Sequence, residues 1–407
     1  MKVLVLAGGY DQIKLIQELD SRGYEVILVD YFENPPAKEY VSRHYMESTL
    51  DVEKVKEIAV SENVELILTA CTDQALYTMA KVSEEMGLPC YLSFEQAKKV
   101  TNKKMMKEKM VQHGIPTAKY EIIKKSGDVS YGRDELDFPC IVKPVDANSS
   151  KGVKKAESME EMPAAIKYAL QFSRSGEVIV EEYIEGEELS VDAWINEGET
   201  EILCISTSVK LKGNKNAFTI AQSRYPCIIS DLEKENIVKI VSDIGKAFGI
   251  KNSPMLVQML RNRSGMTVIE FSARTGGGTK YKLIEEVSGR NVIGDLVELT
   301  LGGKVEKKSY HFPKVIHMNY QYCVPGKVRR FMGFDIAKKK GYIEDYFIYK
   351  KTGAQIAGAE NSSDRVSGYM VSGRDEGEAE QMESRAEKLI KVISEDGTDI
   401  KRNWLDV

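Results

Sequence analysis

Along the first hundred residues the apolar positions change period repeatedly. Val3–Leu6 is a short apolar run that ends in the turn Gly8-Gly9, and it predicts a buried strand. From Asp11 to Arg22 the apolar residues Ile13, Leu15, Ile16 and Leu19 follow helical spacing, and Gly23 closes that helix. Glu25–Asp30 then predicts a second strand. A helix over Asp51–Glu62, a strand over Glu65–Leu68, a helix over Asp73–Met86 and a strand over Pro89–Leu92 follow. Strands that alternate with helices imply parallel β-α-β units and a doubly wound sheet.

The pattern changes near Ser93–Thr101, which predicts a domain boundary. Lys103–His113 predicts a helix, stopped by Gly114 and Pro116. Strand-rich sequence follows over Tyr120–Ile123, Cys140–Pro144, Val178–Glu182, Leu189–Ile195 and Glu201–Thr207, with helices over Met159–Gln171 and Asp231–Phe248. Met255–Arg261 and Met266–Ser272 predict a hairpin. From about Val305 a third module carries strands over Val315–Tyr322 and Tyr342–Tyr349 and an amphipathic helix over Glu376–Ile393. The expected domains are 1–98, 99–305 with a subdomain of about 115–185, and 306–407. The Lys338-Lys339-Lys340 run predicts a solvated patch.

Composition narrows the function classes. The 407 residues are 42% hydrophobic and 29% charged, as in an ordinary globular protein. A net charge of -5 argues against general nucleic-acid binding, which needs a basic footprint. No apolar stretch reaches bilayer length, and the first apolar run is too short for a secretory signal, so a cytoplasmic location without membrane partners is expected. The six cysteines contain no C-x-x-C pair and the four histidines no metal-ligand spacing. Gly8-Gly9 and Asp30 start a dinucleotide fingerprint that lacks its third glycine, so a tight turn with a strand-end acid is the better reading.

Three clusters carry candidate chemistry. If Arg263-Ser264-Gly265 form a three-residue loop with Gly265 left-handed, Asn262 faces Met266 and Gln258 faces Glu270, with Ser272 on the same face. That edge gathers oxygen ligands of the kind magnesium takes when phosphates and water complete its shell. Arg274 and Gly276-Gly277-Gly278 follow. An arginine there can hold a phosphoryl or carboxylate oxygen, and the glycines admit close approach to the backbone. The alternative is a surface hairpin with incidental polar residues. In the second cluster Lys143 ends a strand and the loop Asp146–Gly152 follows, rich in small polar residues able to wrap phosphates. It is not a P-loop, and a polar β-turn is the alternative. In the third, Val180–Ser190, an extended backbone after Glu182 can meet an adenine edge while Glu188 holds ribose hydroxyls; an acidic exposed hairpin is the alternative.

These clusters, in this order and at these separations, resemble the ATP-grasp superfamily of carboxylate–amine ligases, including D-alanine ligase, biotin carboxylase, carbamoyl phosphate synthase and the L-amino acid ligases. The resemblance runs from residue 1 to about 305 and extends, more weakly, over the C-terminal module. It implies an α/β and α+β protein: an N-terminal doubly wound parallel sheet, a two-lobed ATP-grasp fold and a small C-terminal α+β module. It implies ATP and Mg2+, with Mn2+ as a substitute. Lys103 and Lys143 match the phosphate-binding lysines, and the loop through Ser149, Ser150 and Gly152 a mobile flap. Glu181, Glu182 and Ile184 match the adenine-edge segment and Glu188 the ribose carboxylate. Gln258, Glu270 and Ser272 match the metal positions. Arg274, with Gly276, Gly277 and Gly278, falls on the substrate side, and Arg274 and Lys143 are the expected catalytic groups.

Two positions depart from the family pattern. Ser272 stands where the Glu-x-Asn-x-Arg motif has asparagine, and Gln258 where an acid is usual, although carbamoyl phosphate synthase looks like this chain at the second. Glu270 is thus the one anionic ligand of the motif. The implied activity is ADP-forming amide or peptide bond formation through an acyl phosphate, on small-molecule carboxylate and amine substrates, with a homodimer as the expected assembly. Length, a single ATP-grasp unit and the stretch Ser362–Tyr369 are similar to the L-amino acid ligases. Carbamoyl-phosphate-synthase-like or carboxylase-type chemistry, a nucleotide-binding protein with weakened or lost catalysis, and a nicotinamide enzyme are the competing classes. The loop Ser206–Pro226, with Lys210, Lys212, Lys215 and Arg224, is the expected acceptor-side segment, or a cationic surface loop.

Overall fold

The computed structural model describes residues 1–125, 136–211, 218–307 and 312–402. Lys212, Lys215 and His311 lie outside them. Two compact units emerge: residues 1–203 with 229–309, and residues 204–228 with 310–407.

The first unit opens with β1 (Lys2–Leu6), α1 (Asp11–Ser21), β2 (Glu25–Val29), β3 (Arg43–Tyr45), α2 (Val52–Ser61), β4 (Leu66–Leu68), α3 (Asp73–Met86) and α4 (Phe94–Val100). The strands form a parallel sheet in the order β3-β2-β1-β4. Val3–Leu6 and Leu66–Leu68 are fully buried, as expected of strands covered on both faces. One expected strand is corrected: Pro89–Leu92 is a turn, and Arg43–Tyr45 is the fourth strand. Polar Arg43 and His44 hid this edge strand, which needs little apolar patterning. Just past β2, Asp30 accepts from the Gly8 N–H (2.6 Å) and the Phe32 N–H (2.8 Å). A Cβ on Gly8 would lie 2.7 Å from Pro35. Gly8 and Asp30 therefore build a closed turn.

The stretch Ser93–Thr101, where a domain boundary was expected, holds α4, entered through a capping box in which Ser93 and Gln96 exchange bonds. The chain continues through α5 (Lys103–Gln112), β5 (Tyr120–Lys124), β6 (Cys140–Pro144), β7 (Lys154–Ala156), α6 (Met162–Leu170) and β8 (Glu177–Glu182). This sheet, β5-β8-β6-β7, buries Cys140, Val142, Val178 and Val180 against Ile166 and Ala169 of α6. The opposite parity puts Lys143 and Glu181 on its other face, because side chains alternate along a strand.

β9 (Glu187–Asn196) leads into β10 (Glu199–Lys210) and β11 (Ile220–Tyr225). The chain leaves the first unit within β10 and returns at Ile229. α7 (Asp231–Phe248) starts in a Ser230–Glu233 capping box and ends at left-handed Gly249. β12 (Ser253–Asn262) and β13 (Gly265–Ser272) then extend β9 in the order β13-β12-β9, followed by α8 (Lys280–Ser288) and α9 (Val292–Thr300).

In the second unit β14 (Val315–Gln321), β15 (Gly326–Met332), α10 (Phe334–Lys339), β16 (Asp345–Ile348), β17 (Gln355–Ile356), β18 (Ser367–Gly373), α11 (Glu376–Leu389) and β19 (Lys391–Ser394) follow. β11, β14, β18 and β16 pair in that order. The expected terminal helix is shorter than its pattern suggested: it ends at Leu389, and residues 391–394 form a strand on β15. Buried Ile390, Val392 and Ile393 had carried the apolar period onward, and a short apolar run fits either element. The expected strand over Tyr342–Tyr349 is confined to Asp345–Ile348. Lys338, Lys339 and Lys340 are all exposed. Among the described residues no helix is long and apolar enough to cross a membrane.

Candidate active site

The site stands on one face of β9, β12 and β13. Ser190 pairs with Gln258 and Gln258 with Glu270, while Asp192 pairs with Leu256 and Leu256 with Ser272. Directly opposed residues share a face, so these form two successive rows. The expected pairing of Gln258 with Glu270 holds, but for a different local reason. Asn262 pairs with Gly265, so the loop is Arg263-Ser264 alone, and Gly265 has φ +122 rather than a left-handed helical value. A bulge between Gln258 and Met259 then shifts the register by one and restores the pair. The Gln258 amide donates to Glu188 (3.1 Å), which leaves its carbonyl oxygen as the group able to ligate a cation. Ser272 is buried beside Asp73.

Cations converge on these rows. Asn102 caps α5 by accepting from the Met105 N–H (3.1 Å). The Lys103 N–H donates to Val145 (2.8 Å), and its ammonium donates to the Ala147 carbonyl (2.6 Å) and pairs with Glu270 (3.3 Å). Lys143 pairs with Glu181 at 2.8 Å. Lys107, one turn beyond Lys103, pairs with the other oxygen of Glu181 at 3.2 Å. Burial works against the Glu181 charge, but Lys107 and Lys143 outweigh it and hold the carboxyl below the usual range. A pocket opens over Lys103, Asn148, Gln258, Glu270, Ser272 and Arg274, with Asp73 at its rim.

The loop after Lys143 turns sharply. Ser149 (φ 57) and Ser150 (φ 60) are both left-handed, and so is Gly152 (φ 74). Glu182 pairs with Lys119 (3.2 Å), its N–H donates to the Lys119 carbonyl, and Ile184 is half-buried just past the end of β8. The Glu181 side chain faces the lysines, so any adenine contact in this segment belongs to its backbone.

Arg274 is held by a partner that the sequence did not single out. Its Nε donates to Asp73 Oδ1 (2.8 Å) and its Nη2 to Oδ2 (2.5 Å), a bidentate pair, while Nη1 donates to the Thr275 carbonyl (2.7 Å). Burial pushes the Asp73 carboxyl up, and Arg274 more than reverses it, leaving it below its ordinary value. The glycine run packs on acids. A Cβ on Gly276 would meet Asp192 Oδ1 at 2.8 Å, and the Gly278 and Thr279 N–H groups donate to Asp11 (2.9 and 2.8 Å). Asp192 is 1% exposed, its nearest cation is Lys280 at 4.0 Å, and burial raises its carboxyl.

Of the expected residues, Lys103, Glu188, Gln258, Glu270, Ser272 and Arg274 are gathered at the β9-β12-β13 face, while Lys143 and Glu181 pair with each other on the β5-β8-β6-β7 sheet. Asp73, Lys107 and Asp192 join them unannounced. Helical spacing from Lys103 pointed to Lys107, and strand alternation from Glu188 to Asp192, but nothing local distinguished either from a surface charge. Arg224, from the acceptor-side expectation, pairs instead with Glu376 inside the second unit (3.2 Å).

Residues 136–282 match the ATP-grasp domain, and residues 321–395 match the L-amino acid ligase C-terminal domain 2. A solved L-amino acid ligase from Bacillus licheniformis superposes with a TM-score of 0.81 at 19% identity, over 97% of this chain and 98% of that one. The biotin carboxylase domain of Hydrogenobacter thermophilus 2-oxoglutarate carboxylase, solved with MgADP, ADP and bicarbonate, reaches 0.78 at 15% identity over 96% and 90%. The formate-dependent phosphoribosylglycinamide formyltransferase of Pasteurella multocida (strain Pm70) is 29% identical over 186 residues, 45% of this chain and 47% of that protein. The match therefore spans about half the length of that curated relative.

Residues 136–282 thus match an ATP-grasp domain and residues 321–395 an L-amino acid ligase C-terminal domain, and the fold over almost the whole chain is similar to that of the solved L-amino acid ligase.

Proposed function

We propose that the chain is an ATP-dependent, ADP-forming carboxylate–amine ligase that makes an amide or peptide bond on amino acids or small carboxylic acids. The observation that supports this best is the convergence of Lys103, Gln258, Glu270, Ser272 and Arg274 on one pocket. Cations for phosphates, oxygens for a divalent ion and a guanidinium for an acyl oxygen lie side by side there. The donor set fits magnesium: a carboxylate and an amide oxygen on adjacent strands, with phosphates and water to complete six positions.

Bound MgATP would supply the γ-phosphoryl group that converts the substrate carboxylate to an acyl phosphate. Gln258 and Glu270 would hold the ion, with Ser272 in the next row. Lys103 and Lys143 orient and neutralise phosphate oxygens, and the 149–152 loop covers them. Arg274 would stabilise charge on the phosphoryl oxygens as a carboxylate oxygen bonds to phosphorus and ADP leaves, and then the charge that develops on the acyl oxygen as the amine nitrogen bonds to the acyl carbon, before phosphate leaves and the nitrogen gives up its proton. No protein nucleophile is needed, and among the described residues no Ser–His or Cys–His pair adjoins the pocket.

Two neighbouring chemistries share this machinery. Acyl phosphates of formate or bicarbonate would use the same rows, and the relatives' names support them. A nucleotide-binding protein without turnover is supported by the closed Arg274–Asp73 pair. Phosphate release from MgATP, screened against pools of amino acids and small carboxylic acids, separates the three. Release that needs both an acid and an amine supports the ligase. Release with formate or bicarbonate shifts the substrate, and nucleotide binding with no release under any pool removes the catalytic reading.

A further inference from the structure

The charge count around Glu181 is unbalanced. One carboxylate lies between two ammonium groups, Lys143 at 2.8 Å and Lys107 at 3.2 Å. Lys107 is 1% exposed, Glu181 5% and Lys143 6%. The fourth polar group, Thr117, accepts from Lys107 (2.5 Å) and donates to the Val268 carbonyl (3.0 Å), so it adds no charge. The cluster carries one net positive charge in a place largely shielded from water. A buried unpaired charge is expensive unless an opposite charge arrives to meet it. Burial pulls the Lys107 ammonium below its ordinary value, which is the strain expected of a cation held there ahead of its counter-ion.

The Lys107 ammonium is taken up by Glu181 and Thr117 and the residue is buried, so it is not placed to touch a nucleotide. Its effect passes through Glu181. We infer that Lys107 is a positioning residue for nucleotide phosphates: by engaging one oxygen of Glu181 it prevents that carboxylate from neutralising Lys143, and so leaves the Lys143 charge available to phosphate. Without Lys107, Lys143 and Glu181 become a one-to-one neutral pair. The phosphate then has to compete with an adjacent carboxylate for a single ammonium.

This inference rests on the nucleotide-binding part of the function proposed above, and the test separates the two. The full chain is titrated calorimetrically with a non-hydrolysable ATP analogue and Mg2+, as wild type, Lys107→Met and Lys107→Met/Glu181→Gln. The single variant is expected to bind about tenfold more weakly, and the double variant to return to within about threefold of wild type, because removing the carboxylate frees Lys143 again. A packing role for Lys107 predicts the opposite order, with the double variant as weak as the single or weaker. Wild-type affinity in Lys107→Met, or no recovery in the double variant, overturns the inference and leaves nucleotide binding standing. An absence of binding by the wild type overturns both.

Discussion

Two regions of this protein bury clusters of charged and polar side chains, and they use them differently. In the first unit Lys103, Asp73, Glu270 and Arg274 line a pocket, and Lys107 and Lys143 share Glu181 in a buried cluster. In the second unit α11 lies on β11, β14 and β18 through a polar seam. There Glu383 accepts from Gln222 (2.7 Å) and meets His317 Nδ1 (2.9 Å), Glu376 meets His317 Nε2 (3.1 Å), and Glu387 accepts from Tyr369 (2.6 Å) and Lys401 (2.6 Å). The seam matches each of these acids to a donor within the same unit. The site holds a surplus of cations at Glu181 and, separately, opens over Lys103, Glu270 and Arg274. Burial of charge by itself therefore does not mark a functional site, and the charges that line an opening are the candidates.

Breaking each region should give opposite signatures. The largest effect is expected from Arg274→Ala and Glu270→Ala, each lowering phosphate release at least about 100-fold, the loss typical of a group that stabilises developing charge. Arg274→Ala also leaves the half-buried Asp73 without its partner, so its melting temperature should fall while that of Glu270→Ala holds; equal melting of the two would argue against a stabilising Arg274–Asp73 pair. Next comes Glu383→Ala in the seam. It removes one of the two acceptors of the Gln222 amide and the partner of one His317 nitrogen, and should lower unfolding free energy in urea by about 1–3 kcal/mol. Activity per folded molecule should change less than about twofold, since no seam residue lines the pocket. A large loss of turnover without a loss of stability would erase the contrast.

The acid response should come third. Asp73 and Glu181 both have folded-state carboxyls below the unfolded value. Their contribution is therefore present above the unfolded carboxylate range, about pH 4, and is lost as pH falls through the lower folded values. Asp73→Asn should flatten the acid limb of a stability–pH curve; an unchanged limb would show that the pair contributes nothing there. The smallest effect is expected from Ser272→Asn, which supplies a carbonyl ligand to the metal row and should lower the Mg2+ concentration for half-maximal nucleotide binding about threefold. No change would remove Ser272 from the metal set.

Much of the arrangement was legible along the chain. The two periods located most helices and strands, because a residue's burial follows from its parity or its turn position within one element. Gly87 and Gly249 close helices in the left-handed conformation that glycine adopts without strain. Strand alternation was enough to place Gln258 opposite Glu270, although the loop and the bulge divided the offset differently. What escaped were the weakly patterned edges: Arg43–Tyr45, with no apolar residue except Tyr45, and residues 391–394, where a strand follows a helix of the same polarity.

The sequence by itself determined the building elements, the order of the three chemical clusters, and which residue types stand at Lys103, Lys143, Glu188, Gln258, Glu270 and Arg274. These depend on neighbours a few positions apart, where backbone geometry dictates who shares a face. Only the tertiary structure decided who meets whom across long separations: Asp73 with Arg274, Lys107 with Glu181, Asp11 with the Gly278 and Thr279 N–H groups, and Asp192 with Lys280. A charged side chain carries no sign in the local pattern of whether it ends in water or in a buried pair. That outcome is set by desolvation against the partner that packing delivers, and packing is a property of the whole fold.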